Sequence, residues 1–292
     1  MASIHDEDGD SRKRSREETT FPDEDVVIHY DIDQQTPEWD TLRRPVSGSR
    51  GELFGLSVFD SASSAYCRTI HGIEKKFPSR AKAAMQHGVL FEPQSALELR
   101  DLLAKTTFPS IDKDTNRAWR EQRWFDNPGY DIPNHRHHPF FKEERDEQRF
   151  GVSLDMRGEY IDVEIKNPVS YLNFKRYYYE SLSPERFFQL QWAMAVRNRQ
   201  AMFLYATCYD AETKKLRASV LWHVVFQRNF MVEQVIPRAR RIADAILAKD
   251  QEFNIEECTL AKVFVEGIHE SFEDEYAETF SAYARRIHSD GL

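Results

Sequence analysis

The stretch Phe150–Pro168, F-G-V-S-L-D-M-R-G-E-Y-I-D-V-E-I-K-N-P, limits this chain more than any other. Val152 and Leu154 alternate with polar neighbours, Met156-Arg157-Gly158-Glu159 carries turn chemistry, and Tyr160, Ile161 and Val163 resume a β-rich run ending in Glu164-Ile165-Lys166. The pattern predicts two strands of one hairpin. Side chains alternate faces along a strand, so Glu164 and Lys166 share one face and Ile165 takes the other. Asp155, at the end of the first strand, is brought toward Glu164. Two carboxylates held together in an apolar sheet repel each other unless a cation sits between them. Oxygen ligands suit Mg²⁺, with Mn²⁺ as a substitute, and a lysine two residues past a liganding Glu can orient or deprotonate a water. That equipment suits metal-assisted hydrolysis of a phosphodiester. A charged hairpin is also a common surface element, and Asp162 is expected on such a solvated face.

Composition enters the argument through charge. The chain of 292 residues carries a formal net charge of −9, which disfavours a polyanionic partner at first sight. The distribution reverses this: residues 1–37 hold 11 acids and four bases, residues 252–292 hold ten acids and three bases, and the body between them has 28 acids and 33 bases. A mildly basic body is compatible with a DNA groove. Three scattered cysteines, Cys67, Cys208 and Cys258, and the lack of any C-x-x-C give no zinc or iron–sulphur signal and fit a reducing compartment. No apolar run reaches 18 residues, so no membrane partner is expected.

The acidic stretch 1–37 reads as a disordered tail, with Arg12-Lys13-Arg14 and Arg16 as a solubilising cluster or an import signal. Trp39 and Leu42 can open a short amphipathic helix stopped by Pro45. Ser47-Gly48-Ser49-Arg50 then forms a polar turn before a helix, either a plain helix cap or, with its flanking arginines, an anion cradle. Phe77–Leu103 is helix-prone, with an interruption expected at Gly88–Pro93 and Glu92 placed at that break. His135, His137 and His138 fit a surface loop better than a metal site. Tyr171–Tyr179 is either a helix burying tyrosines or a basic-aromatic surface for nucleic acid. Pro184 opens a helix carrying Gln189 and Gln191, which lie about 200° apart and cannot both face one point. Ala201–Tyr209 and Ala218–Phe226 read as strands, Val232–Leu247 and Phe272–Ile287 as helices.

Five motifs in order, W…L-R…S-G-S-R, H-G-V-L-F-E-P-Q-S-A, G-V-S-L-D, E-I-K-N-P and Q-L-Q-W-A-M, resemble the YqaJ-type viral recombinase family, which includes the lambda exonuclease, within the PD-(D/E)XK nuclease superfamily. The resemblance covers roughly Trp39–Tyr209. It implies an α/β fold of restriction-endonuclease-like type, with a mixed central sheet flanked by helices. The nuclease domain would be 38–251, with 252–292 an acidic helical extension packed on it. It implies a Mg²⁺-dependent DNA nuclease, a 5′-to-3′ exonuclease on duplex ends serving viral recombination, repair or genome processing. The alternatives are a catalytically silent DNA-binding recombination partner and an endonuclease of the same fold. Asp155, Glu164 and the Ile165 carbonyl would hold metal, with Glu92 completing the site and Lys166 positioning the attacking water. Gln189 or Gln191 would orient the metal shell or a phosphate, and Arg43, Ser49, Arg50 and Ser153 would hold a terminal phosphate. Leu154 and Met156 stand where the family has Pro and Gly, and the Trp39–Ser49 spacing leaves Arg43 and Arg44 both open. The resemblance further implies a virus-encoded protein in the cytoplasm or nucleus of an infected cell, a single-strand annealing partner and a homo-oligomer.

Overall fold

Ala201–Tyr209 is apolar at nearly every position, a pattern that fits a strand covered on both faces rather than one. In the computed structural model, which describes residues 25–29, 36, 39, 42–125, 129–179, 182–210, 212–261 and 284–290, this run is the strand around which the larger sheet is built. In chain order the strands are β1 (Val26–His29), β2 (Val46–Ser47), β3 (Trp124–Phe125), β4 (Tyr130–Pro133), β5 (Phe150–Ser153), β6 (Arg157–Gly158), β7 (Asp162–Lys166), β8 (Ala201–Tyr209), β9 (Leu216–Val225) and β10 (Ala284–Asp290). The helices are α1 (Ala62–Ile70), α2 (Ser79–Lys105), α3 (Lys113–Glu121), α4 (Asp146–Arg149), α5 (Tyr171–Tyr179), α6 (Pro184–Arg197) and α7 (Ile236–Ala248). A 3₁₀ helix spans Gly48–Phe54, and a π-helical stretch, Phe230–Val235, leads into α7.

The α/β class and the mixed sheets flanked by helices agree with expectation. One sheet runs β1-β4-β5-β2 and another β10-β9-β8-β7, while β3 pairs with β6. Each four-stranded sheet has one parallel pair, β2 with β5 and β7 with β8, among antiparallel neighbours. The parallel β7–β8 pair requires a crossover, which α5 and α6 supply. Met202, Leu204, Ala206 and Cys208 of β8 face the core that α6 and α7 close. Phe203 and Tyr205 face a second core with Leu99, Leu103 and Trp119 of α2 and α3.

Four expectations need correction. The hairpin is not one: β5 and β7 belong to different sheets and touch only through the Met156–Val163 bridge, with N–H to O distances of 3.1 and 3.0 Å. The helix bearing Glu92 is not interrupted, since α2 runs through Pro93. Its buried residues Phe91, Ser95, Leu99 and Leu103 recur every four positions on both sides of the proline, so packing holds the helix across the one donor that Pro93 lacks. The acidic first segment is not wholly a tail, because Val26–His29 pairs with Tyr130–Pro133 and buries Val26. The helix expected over Phe272–Ile287 ends instead in β10, which pairs antiparallel with β9; the rest of that span lies outside the described residues, as do Arg12-Lys13-Arg14 and Arg16. Among the described residues no helix is long and apolar enough to cross a membrane.

His223 of β9 lies 5.2 Å from the Trp119 ring and 5.9 Å from Phe203. Burial, then the charge of Arg285, pushes its pKa down to about 4. The unfolded imidazole takes up its proton near pH 6.5, so stability present above that value is lost as pH falls toward about 4. The His223→Phe protein should therefore lose less of its urea resistance than wild type between pH 6.5 and pH 4, by up to about 3 kcal/mol.

Candidate active site

Beyond the Met156–Val163 bridge the two chains part. The next N–H on the free edge of β7, that of Ile165, is not met by a strand. Asp155 Oδ2 accepts it instead, at 2.6 Å. A side chain thus takes over where the ladder stops, which fixes Asp155 next to the residue that follows Glu164.

On β7, Val163 and Ile165 face the α2 core, so alternation turns Glu164 and Lys166 to the opposite face, toward α6. Glu164 is buried, 4 % exposed. Its Oε1 accepts from the Lys166 ammonium and from Gln189 Nε2 at 2.5 Å. Gln189 Oε1 in turn accepts from Arg186 Nη1 at 3.0 Å. A guanidinium only donates, so Arg186 forces the amide of Gln189 to present its NH₂ to Glu164. Tyr177 lies beside Arg186, and its oxygen favours the charged guanidinium.

Three carboxyls therefore share one neighbourhood. Loss of solvent, then the charge of Glu164, pushes Asp155 well above the usual carboxylate range, against Lys166 and the Ile165 amide; Glu92 adds to the push. Glu92 is raised by burial and then by Glu164, with Lys166 opposing. Burial would lower the Lys166 ammonium, but Glu164 and Asp155 outweigh it and Arg186, so its pKa is raised. Two carboxyls that resist ionisation in the same cleft are what an all-oxygen cation site leaves behind without its ion. The residue types fit a hard divalent cation. The expected cage, however, is not preformed: among the described residues no three His, Cys, Asp or Glu side chains converge closely enough to hold an ion.

Glu92 is held in place by a polar knot. Ser95 Oγ, one turn on, bonds Asn167 Oδ1 at 2.7 Å, Thr207 Oγ1 at 2.9 Å and the Tyr209 hydroxyl at 3.0 Å. Asn167 Nδ2 donates to the Gly88 carbonyl at 3.1 Å. Phe91 stacks on Tyr209 with centroids 4.5 Å apart. Asn167 directly follows Lys166, so one residue ties the helix of Glu92 to the strand of Glu164 and Lys166.

The serine-arginine segment lies against the same helix as Gln189. A Cβ at Gly48 would stand 3.2 Å from the Gln189 carbonyl and 3.4 Å from Trp192, so a larger residue would have to move α6 away by a few tenths of an ångström. Ser47 and Ser49 hydroxyls are 3.2 Å apart. Arg50 donates to Thr69 Oγ1 at 3.0 Å, and burial, then the nearby charge of Arg43, lowers its pKa. The Arg43 guanidinium lies over Trp39 at 4.7 Å. Arg44 is occupied elsewhere, with its Nε on the Glu147 carbonyl at 2.7 Å and its N–H on the Tyr130 hydroxyl at 3.0 Å. Ser153, opposite Tyr130 in the β4–β5 pair, sits two residues before Asp155.

Gln191 is a correction: it is no part of the cluster. It is fully buried, donates to the Val225 carbonyl at 2.8 Å and accepts from the Gln227 N–H at 2.7 Å. Asp162 is another, buried against Arg197 Nε at 3.2 Å and Arg199 Nε at 3.3 Å rather than solvated. His138 is a packing residue: its Nδ1 accepts from the Phe140 and Phe141 N–H groups at 3.1 and 3.2 Å, and its other ring nitrogen meets the Val196 carbonyl at 3.0 Å. Arg186 and Asn167 were not singled out from the sequence. An arginine in a first helical turn and an Asn-Pro after a strand carry no signal of their own.

No protein-family model matches the chain, and no curated protein matches it. Among solved structures, the chain is similar to the crystal structure of an alkaline exonuclease, LHK-Exo, from Laribacter hongkongensis: 20% identity, TM-score 0.45, covering 79% of this chain and 99% of that one. LHK-Exo in complex with dAMP gives 19% identity and a TM-score of 0.45 over 80% and 100%.

The two glutamines should separate by experiment. Gln191→Leu leaves the Val225 carbonyl and Gln227 N–H without partners and should cost about 1–3 kcal/mol in a denaturant titration, whereas Gln189→Ala, on a half-buried side chain, should leave the transition midpoint nearly unchanged.

Proposed function

We propose that the protein is a divalent-metal-dependent deoxyribonuclease that trims duplex DNA from an end. The observation that carries this reading is the mutual charge influence of Asp155, Glu164 and Glu92 beside Lys166, with the Ser47–Arg50 segment packed against α6, the helix of Gln189.

Asp155, Glu164 and the Ile165 carbonyl would hold the cation, with Glu92 completing the site. A bound Mg²⁺ supplies Lewis-acid activation of a phosphoryl oxygen and lowers the pKa of its water. Lys166, kept protonated by Glu164 and Asp155, places positive charge where the phosphoryl oxygens gain negative charge. Gln189 holds Glu164 in one orientation, and Arg186 holds Gln189. Such supporting contacts are commonly worth 10–100-fold in metal affinity or activity. Arg43, Arg50, Ser49 and Ser153 would receive a terminal phosphate, which sets the end of the strand at a fixed distance from the carboxylates and favours an exonuclease over an endonuclease. The sequence resemblance supports the same reading and adds the viral recombination role and a single-strand annealing partner.

Two measurements test the function. Wild type should degrade linear duplex DNA with Mg²⁺ or Mn²⁺ and stop in EDTA, while Glu164→Gln and Asp155→Asn should lower the rate by at least about 10³ with melting curves intact. Metal-independent inertness of wild type and variants alike would leave a DNA-binding protein instead. Linear DNA bearing a 5′-phosphate should be degraded faster than its 5′-hydroxyl form, and closed circular DNA not at all. Arg43→Ala with Arg50→Ala should erase the 5′-phosphate preference. Equal use of both ends by wild type would remove the cradle from the account.

A further inference from the structure

On α5, Tyr171, Lys175 and Tyr178 stand at positions i, i+4 and i+7, which places them on one face. That face is covered by cations from three separate segments. The Arg217 guanidinium of β9 lies over Tyr171 at 4.1 Å, and Lys175 lies over the same ring at 5.3 Å. Arg286 of β10 lies over Tyr178 at 4.3 Å and donates to its backbone carbonyl. Arg217 and Arg286 are exposed, and among the described residues no carboxylate forms a direct ion pair with any of the three, although the charge of Arg217 is felt at Asp210. Leu172, 75% exposed, and Val169, 48% exposed, lie on or just before the same helix, and Arg176 beside them is exposed as well.

The ridge is joined to the carboxylate cluster. Tyr177, on another side of α5, lies beside Arg186, which donates to Gln189, and Gln189 donates to Glu164. The Tyr177 carbonyl accepts from Trp222 Nε1 at 2.9 Å, so α5 is fastened to β9, which carries Arg217. Lys166 and Arg186 at the cluster and Lys175, Arg217 and Arg286 about α5 thus meet the same helix from different sides. Tyr171 to Tyr178 spans about 10 Å of helix, roughly three phosphates of a duplex strand.

We infer that Lys175, Arg217 and Arg286 form a phosphate track for the duplex DNA arm that leads to the carboxylate cluster, and that the C-terminal strand β10 completes it. The inference rests on the proposed function and says which surface carries the substrate. Unpaired, spread-out cations match the regular charge of a nucleic-acid backbone. The occupied tyrosine faces decide against a single strand, which needs bare rings on which to stack its bases. Stacking on tyrosine also fixes each arginine and so lowers the ordering cost of a contact.

The track is tested without turnover. Binding of the full-length protein to a fluorescent 20-base-pair duplex is followed by anisotropy in EDTA at several salt concentrations. Replacing all three, Lys175→Ala, Arg217→Ala and Arg286→Ala, should weaken binding at least tenfold near 0.1 M salt and lower the salt slope by about 2–3. Each single variant should lower it by about 1, whatever the DNA sequence. The singles keep the test informative if the triple variant melts early. An unchanged slope, a loss confined to single-stranded DNA, or no duplex binding by wild type overturns the track. If the losses appear as expected but wild type never cleaves DNA with Mg²⁺, the track stands and the nuclease reading falls.

Discussion

The bond from the Ile165 N–H to Asp155 Oδ2 is the interaction on which the arrangement turns. Two strands that stayed paired would have met the Ile165 N–H with a main-chain carbonyl and left Asp155 no such donor. Here the ladder ends after one bridge, and a carboxylate stands in for the missing strand. The cost is a half-buried acid whose charge is disfavoured by burial and by Glu164. An unstrained fold has no reason to keep such a pair, and a cation between them removes the conflict.

An opening of this kind must be held at its other end. Asp162 begins β7, and it meets Arg197 from the end of α6 and Arg199 just beyond; Arg197 Nε also lies 3.1 Å from Asp131 of β4. Asp131, Arg157, Asp162 and Arg197 are all nearly inaccessible to solvent. Buried ion pairs add little net stability over apolar packing, but breaking one is costly, so they enforce a single arrangement. This clamp joins β4, β6, β7 and α6 at one end of β7, and the Asn167–Ser95–Thr207 knot joins α2 and β8 at the other. Glu164 and Lys166 lie between two fixed points.

Much of this was legible in the sequence. The double-faced apolar runs Ala201–Tyr209 and Ala218–Phe226 and the Ser183-Pro184 helix start follow from local rules, and those rules held. The grouping of Glu92, Asp155, Glu164 and Lys166 was accessible only through the order of motifs, because residues so far apart have no periodicity in common. What failed was governed by tertiary contacts. Val26–His29 is a β-branched run hidden among acids, and its partner strand lies more than a hundred residues away. Pro93 reads as a break until the Phe91–Leu103 stripe is seen to be buried on both sides of it. Gln189 and Gln191 are alike on paper, and only the position of β9 decides which of them is structural.

The charges of the site are sorted, not balanced. Arg43 and Arg50 lie in the segment that packs beside Gln189 of α6, Lys175, Arg217 and Arg286 gather about Tyr171 and Tyr178 of α5, and Glu92, Asp155 and Glu164 act on one another's charge. A polyanion is attracted to the two groups of cations and repelled by the carboxyls, while a small cation is attracted only to the carboxyls. A uniformly basic surface would hold a polyanion more tightly but would exclude a small cation. The formal charge of −9 therefore says little about partners, since the grouping of the signs decides what each part can hold.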